Sequence, residues 1–219
     1  MNNLKKIVLI GAGGFGREVA ASLIRTINWY KPTYDFLGFL DDGPGFHSGM
    51  EIDGYPWLGN RNWILDHKDE VCCTCTIGSA ELKKQIQTEL TDKGVRFETI
   101  IETTSYVAPH TTIGPGCVLY GGVRISVNCT IGAGVLLNDG VKIGHDVTIG
   151  DYTSIMPDTG ISGGCCIGEQ VDIGGHAFII PGKKVGDKAR IAAGSIVFSN
   201  VRAGTTVLGN PAKRMKELE

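Results

Sequence analysis

One histidine of this chain stands beside an acid in the middle of a periodic segment: His145-Asp146, within Asn138-Asp139-Gly140-Val141-Lys142-Ile143-Gly144-His145-Asp146-Val147-Thr148-Ile149-Gly150-Asp151. An imidazole titrates near neutrality and so takes a proton from an amine or a hydroxyl at cellular pH. A carboxylate next to it fixes its tautomer and raises its basicity. On spacing alone two readings stand, a general base and a solvent-facing corner. His47 lies in a Gly/Pro-rich loop, His67 in a polar helix, His110 on the first repeat and His176 at a late corner. These four read as surface residues.

A second chemical signal lies near the start. Gly11-Ala12-Gly13-Gly14-Phe15-Gly16 is a G-x-G-x-x-G between a strand and a helix. Backbone amides at a helix N-terminus hold phosphate. Asp41 and Asp42 close the next strand, where a ribose-binding acid belongs. Gly78 and Ser79 follow the third strand and share that carboxyl edge. A turn that merely permits tight packing is the competing reading of the glycines.

The elements that position these residues are legible from periodicity. Sixteen six-residue units run from Val107 to Arg202 without an insertion, and every first residue is aliphatic, from Val107, Ile113 and Leu119 to Ile191 and Val197. A strict hexapeptide period signals a parallel β-helix. Three units make one triangular coil, and the stack forms a rod of roughly 25 Å at the parallel strand spacing. The fifth residue of each unit is small, as a tight corner requires, except at Lys183, where the corner should be irregular or open to water. The tail Asn210 to Glu219 is expected to form a short helix over the open end of the prism.

Residues 1 to 101 alternate strands and helices. Strands are expected at Ile7–Ile10, Phe36–Leu40, Val71–Ile77 and Phe97–Ile101, with helices from Gly14 to about Ile27 and from Ala80 to Lys93. This is half of a doubly wound fold. About 100 residues are too few for a complete dinucleotide fold with a substrate site, so a mononucleotide, such as that of an activated sugar, fits better than NAD. The fold class is therefore an α/β half-Rossmann domain, residues 1–101, followed by an all-β left-handed parallel β-helix, residues 102–219.

Composition excludes other classes. The net charge of −2 and the lack of a long basic run argue against nucleic acid. No apolar stretch approaches twenty residues and no signal-peptide pattern is present, so no membrane partner and a cytoplasmic location are expected. The seven cysteines read as reduced thiols. Cys72 and Cys75 form a lone C-x-x-C with only Cys165-Cys166 to complete it, so no metal is expected.

With these residues in view the whole chain resembles the bacterial hexapeptide sugar acyltransferases of the NeuD/PglD type. The resemblance rests on the Gly11 to Gly16 loop, Phe39-Leu40-Asp41-Asp42, Gly54-Tyr55-Pro56-Trp57-Leu58-Gly59, His145-Asp146 through Ile149-Gly150-Asp151, and Gly209-Asn210-Pro211-Ala212-Lys213. It implies a homotrimer with acetyl-CoA as co-substrate between neighbouring prisms. It implies that His145 is the general base, supported by Asp146, and that the acetyl group passes directly to the acceptor. It implies that a nucleotide-linked sugar is held by Gly11, Gly13, Gly14, Phe15, Asp41, Asp42, Gly78 and Ser79. The coenzyme positions fall near Ser154 and Gly175, and Lys183, Lys184 and Arg190 are phosphate contacts by charge.

The sequence departs from the family pattern in three places. Ser154 stands where many members carry a second histidine, Met156-Pro157-Asp158-Thr159 replaces a stretch of small residues, and Glu102-Thr103 replaces a frequent His-Pro. N-acetylation of an amino sugar is the expected activity. The alternatives are O-acetylation of a sugar, a nucleotide-sugar-binding protein whose acyl site has decayed, a zinc carbonic anhydrase prism, which needs three converging histidines, and an NAD-dependent oxidoreductase.

Overall fold

The computed structural model describes residues 4–24 and 33–215. The first part is a five-stranded sheet. Strands β1 (Lys5–Ile10), β2 (Tyr34–Leu40), β3 (Glu51–Ile52), β4 (Tyr55–Gly59) and β5 (Val71–Cys75) lie in the order β3-β4-β2-β1-β5. β1 is parallel to both β2 and β5, and only the β3–β4 hairpin is antiparallel. The interior strand β1 is apolar on both faces and buried from Ile7 to Ile10, as a strand covered on two sides must be. Helix α1 (Gly14–Ser22) follows β1, and helix α2 (Ala80–Asp92) follows β5. The first helix was expected to run to about Ile27; Leu23 and Ile24 continue it in a wider turn, and Arg25 onward lies outside the described residues. A six-residue 3-10 helix, Arg61–Asp66, follows β4, and His67 ends it.

The expected strand Phe97–Ile101 divides between two sheets. Phe97 bridges Cys73 beside β5, whereas Ile100–Ile101 pairs in parallel with Val118–Leu119 as the first rung of the prism. The β3–β4 hairpin was not predicted. Pro56 and the short span disguise it, yet it extends the sheet on the side of Asp41 through parallel pairing of Phe39 with Trp57.

The prism keeps the sequence period throughout. One face stacks Ile100–Ile101, Val118–Leu119, Leu136–Leu137, Ser154–Ile155, Asp172–Ile173, Arg190–Ile191 and Thr206–Leu208. The second stacks Tyr106–Val107, Arg124–Ile125, Lys142–Ile143, Gly160–Ile161, Phe178–Ile179 and Ile196–Val197. The third stacks Thr112–Ile113, Thr130–Ile131, Thr148–Ile149, Cys166–Ile167 and Lys184–Val185. Nearly every inward aliphatic residue is fully buried in one continuous core. Small corner residues satisfy a carbonyl one coil further on: the hydroxyl of Thr153 donates to Gly168 O at 2.8 Å, and the thiol of Cys117 to Gly132 O at 3.1 Å. The same contact at Cys129 and Cys165 gives these thiols a structural use. At Lys183 the ladder stays regular, with Cys166 N donating to Lys183 O at 2.9 Å, and the side chain is half-buried.

The tail does not begin the expected helix. Lys213–Arg214 turns back antiparallel to Thr206–Leu208, and Met215 N donates to Thr206 O at 2.9 Å. Gly209, at φ +102, permits the reversal that an L side chain would resist. The strand ends the first face by pairing rather than by a helical lid, and Lys216 and Leu218 lie outside the described residues.

The first face carries the sheet domain. Val118 and Leu136 belong to one apolar cluster with Ile7, Leu9, Val19 and Phe39. The Tyr120 hydroxyl donates to Glu18 O at 3.3 Å, and Gln87 Nε2 to Gly116 O at 3.3 Å. Lys83 of α2 is buried between the two parts and donates to Ser154 Oγ at 2.9 Å.

Burial in this seam pulls the Lys83 ammonium from 10.5 down to about 8. A lysine that binds its proton less tightly when folded destabilises the fold while it is charged. That penalty is fully present below about pH 8 and disappears as the pH rises to 10.5. The shift corresponds to about 3 kcal/mol, and losing the bond to Ser154 costs about 1 kcal/mol. Lys83→Met is therefore expected to stabilise the protein by about 2 kcal/mol at pH 7, raising Tm by about 4–8 °C, with the gain shrinking as pH rises from 8 towards 10.5. Thermal melts of both proteins across that range check it; a variant melting below the wild type at pH 7 contradicts it.

Candidate active site

The acid–base pair is built by one corner of the prism. His145 and Asp146 form the turn between Lys142–Ile143 on the second face and Thr148–Ile149 on the third. Asp146 takes φ +57, as do the equivalent corner residues of neighbouring coils, and this turns its carboxylate back towards His145. Oδ2 lies 2.7 Å from His145 Nδ1. The other oxygen accepts from Asn128 Nδ2 at 3.2 Å, from the same corner 18 residues earlier. Asn128 was not anticipated, although the repeat places it one coil away.

These two hydrogen bonds, that from His145 being the stronger, hold the Asp146 carboxyl below the usual carboxylate range. An ionised carboxylate only accepts, so Nδ1 is the donor to Oδ2, and in the neutral ring the lone pair falls on Nε2. The imidazole is 65% exposed, so Nε2 is open to a substrate. The corner therefore supplies an imidazole held at one nitrogen, with the other placed to take a proton.

Beside it a groove of about 540 Å³ crosses the second face, reaching Gly144 and lined by Tyr106, Arg124, Lys142, Asp158 and Phe178. Arg124 lies over the Tyr106 ring at 5.7 Å.

The second constellation assembles at the carboxyl edge of the sheet. Gly11, Asp41 and the Gly78-Ser79 pair follow β1, β2 and β5. Asp41 shapes the loop: its two oxygens accept from Ala12 N and Gly43 N, each at 2.8 Å. Asp42 accepts from Arg61 N at 2.8 Å and faces its guanidinium at 3.4 Å. Ser79 caps α2, accepting from Leu82 N at 3.4 Å. The glycines separate the two readings of the loop. A side-chain carbon at Gly16 would collide with the carbonyl oxygen of Gly11, so Gly16 answers to packing. At Gly13 and Gly14 such a carbon would meet nothing within 4 Å, and both are exposed at the start of α1. Packing does not account for them. Phe15 sits half-buried between this loop and the Tyr120 ring, 6.1 Å away.

The structure does not gather the four expected coenzyme residues. Ser154 is fully buried in the seam with Lys83, because the first face is covered by the sheet domain, and its hydroxyl is turned away from the His145 corner. Within one copy the Ser154 hydroxyl is therefore occupied by Lys83 and not exposed. Gly175 lies on the edge between the first and second faces, across the prism from His145. Lys183 and Lys184 follow Pro181-Gly182, two coils along the His145 edge. Arg190 lies on the first face and approaches Asp172 at 3.8 Å. Among the described residues no cluster of three or more His, Cys, Asp or Glu is arranged for a metal, and His176 lies on a different edge from His145.

The period, the open imidazole–carboxylate corner and the half-Rossmann domain define a hexapeptide-repeat transferase. Residues 6–90 match the model of the PglD N-terminal domain. Over 213 residues, 95% of each chain, the protein is 30% identical to a GDP-perosamine N-acetyltransferase of Escherichia coli O157:H7. The acetyltransferase domain of PglB from Neisseria gonorrhoeae FA1090, solved in complex with acetyl coenzyme A, is 27% identical, with a TM-score of 0.86 over 97% of this chain and 100% of that one. WeeI from Acinetobacter baumannii AYE is 29% identical, with a TM-score of 0.85 over 95% and 99%. The chain belongs to the bacterial hexapeptide-repeat sugar acyltransferases of the NeuD/PglD type.

Proposed function

We propose that this enzyme transfers an acetyl group from acetyl-CoA to the amine of a nucleotide-linked amino sugar in the cytoplasm. The observation that carries the reading is the His145–Asp146 pair, 2.7 Å apart on an open corner, with a base nitrogen unengaged. The N-acetyltransferase name of the relative aligned over 95% of the chain, and the acetyl coenzyme A bound to the gonococcal domain, supply donor and acceptor class. The amine adds to the thioester carbonyl while Nε2 of His145 removes its proton, and Asp146 steadies the resulting imidazolium. Collapse of the tetrahedral adduct breaks the carbon–sulfur bond and releases CoA as a thiol, the imidazolium returning the proton. A backbone amide steadies the oxyanion, and no acyl-enzyme forms.

The acceptor is held at the Gly13-Gly14-Phe15 loop with Asp41, Asp42, Gly78 and Ser79, its phosphates on the amides at the start of α1. That loop belongs to the domain on the first face, whereas His145 lies on the edge where the other two faces meet, opposite it. One copy therefore does not bring its own loop to its own imidazole. A homotrimer that sets the loop of one copy against the corner of the next completes the site, with acetyl-CoA between the prisms and Lys183 and Lys184 towards its phosphates.

The test is a transfer assay read by product mass, with acetyl-CoA and paired acceptors that carry either an amine or a hydroxyl at one sugar carbon. A gain of about 42 Da, one acetyl replacing one hydrogen, on the amines alone is expected from the better match of an amine to a general base near neutrality. A gain on the hydroxyl acceptors instead would establish O-acetylation, and none on any acceptor would remove the activity.

A further inference from the structure

The His145 ring has a second neighbour besides its acid. Gly163 occupies the same corner one coil later, as Gly164 N donating to His145 O at 2.8 Å requires. A side-chain carbon at Gly163 would lie 2.5 Å from His145 Nε2, 2.6 Å from Cε1 and 2.9 Å from Cδ2. Apart from its own chain neighbours, no other described residue places an atom nearer to that position. The imidazole thus lies flat over bare backbone, with Asp146 holding one edge at Nδ1. Gly163 is not among the glycines of positive φ, unlike Gly164 beside it at φ +69. The backbone there accepts any L residue, so the absent side chain answers to the ring rather than to the fold.

We propose that Gly163 is a positioning residue: its bare Cα is the seat that sets Nε2 of His145 relative to the acceptor amine. The imidazole is 65% exposed within one copy, so the glycine backbone and Asp146 are the contacts that this copy gives the ring. A methyl group at Gly163 pushes the ring outward, stretches the bond to Asp146 and moves the base nitrogen by about an ångström, a displacement worth about 10²-fold in rate. Any larger side chain acts in the same direction, so the corner admits only glycine.

This inference rests on His145 being the general base, and the experiment separates the two. Gly163→Ala and His145→Ala are compared with wild type by steady-state kinetics, thermal melting and the ¹⁵N-correlated imidazole spectrum, in which His145→Ala assigns the His145 signals. For Gly163→Ala the expected results are a kcat lower by about 10–10²-fold, a KM for either substrate changed less than about threefold, since the remote contacts persist, a Tm near the wild type, and displaced His145 Nδ1 and Nε2 signals. Unchanged His145 signals with wild-type kcat would overturn the proposal while leaving the base in place. A Gly163→Ala protein that no longer melts cooperatively would also overturn it, since the site would then serve the fold. Full turnover in His145→Ala would remove the base assignment, and the displaced signals alone would then sustain the seat.

Discussion

Replacing His145 with alanine is expected to lower turnover by about 10²–10⁴-fold, the range that a positioned general base contributes. The side chain is mostly exposed and fills no cavity, so the prism keeps its stability. The KM values for acetyl-CoA and acceptor should change little, because the ring meets the amine mainly as its proton departs. Initial rates over a pH series with both variants of the pair, His145→Ala and Asp146→Asn, check this. Asp146→Asn leaves Nδ1 facing an amide and should fall between the two. A loss under about threefold in His145→Ala would remove the base from the mechanism.

The second large effect is expected at Gly16. A methyl group there drives into the Gly11 carbonyl, which is main chain and yields only by shifting β1 or α1. Gly16→Ala should cost about 1–3 kcal/mol through overpacking, lowering Tm by about 2–10 °C. Because Gly13 and Gly14 are carried on the same turn, the phosphate-facing amides move with it. Affinity for the nucleotide sugar should fall by about tenfold or more, the equivalent of 1.4 kcal/mol, while acetyl-CoA binding at the prism is unaffected. Calorimetric titration with each ligand separates these results. Equal losses for both ligands would mean that the two binding regions are not distinct.

The prism was legible because its code is strictly local: one aliphatic residue in every six points inward, and any slip would expose it. The His145-Asp146 corner followed from the same count, and the carboxyl-edge position of Gly11–Phe15, Asp41-Asp42 and Gly78-Ser79 from the alternation of strands and helices before the prism. What escaped depended on contacts between elements. Lys83 and Gln87 give α2 a polar appearance, yet both are buried because a second domain covers that side. For the same reason Ser154, which looks like an outward prism residue beside the acyl site, is sealed against Lys83. The β3–β4 hairpin is short and contains Pro56, so it carries neither the length nor the alternation of a strand. Phe97–Ile101 reads as one strand because nothing in its short span marks the point where it leaves one sheet for another. In the tail, Lys213-Arg214-Met215 has helical residue types, but pairing with Thr206–Leu208 satisfies its backbone instead.

The most direct test of the account is complementation between two chains impaired in different halves of the site, assayed at limiting acceptor. The claim is that the imidazole of one copy acts on an acceptor held by the loop of another. Co-expressed chains, one carrying His145→Ala and the other Gly16→Ala, each with its own tag, are purified through both tags and assayed for acetyl transfer. In a closed trimer that contains both kinds of chain, about one site in three unites an intact imidazole with an intact loop. The account predicts activity near that fraction of wild type, far above either variant alone. Mixed oligomers no more active than their parents would contradict it, placing imidazole and acceptor loop within a single chain.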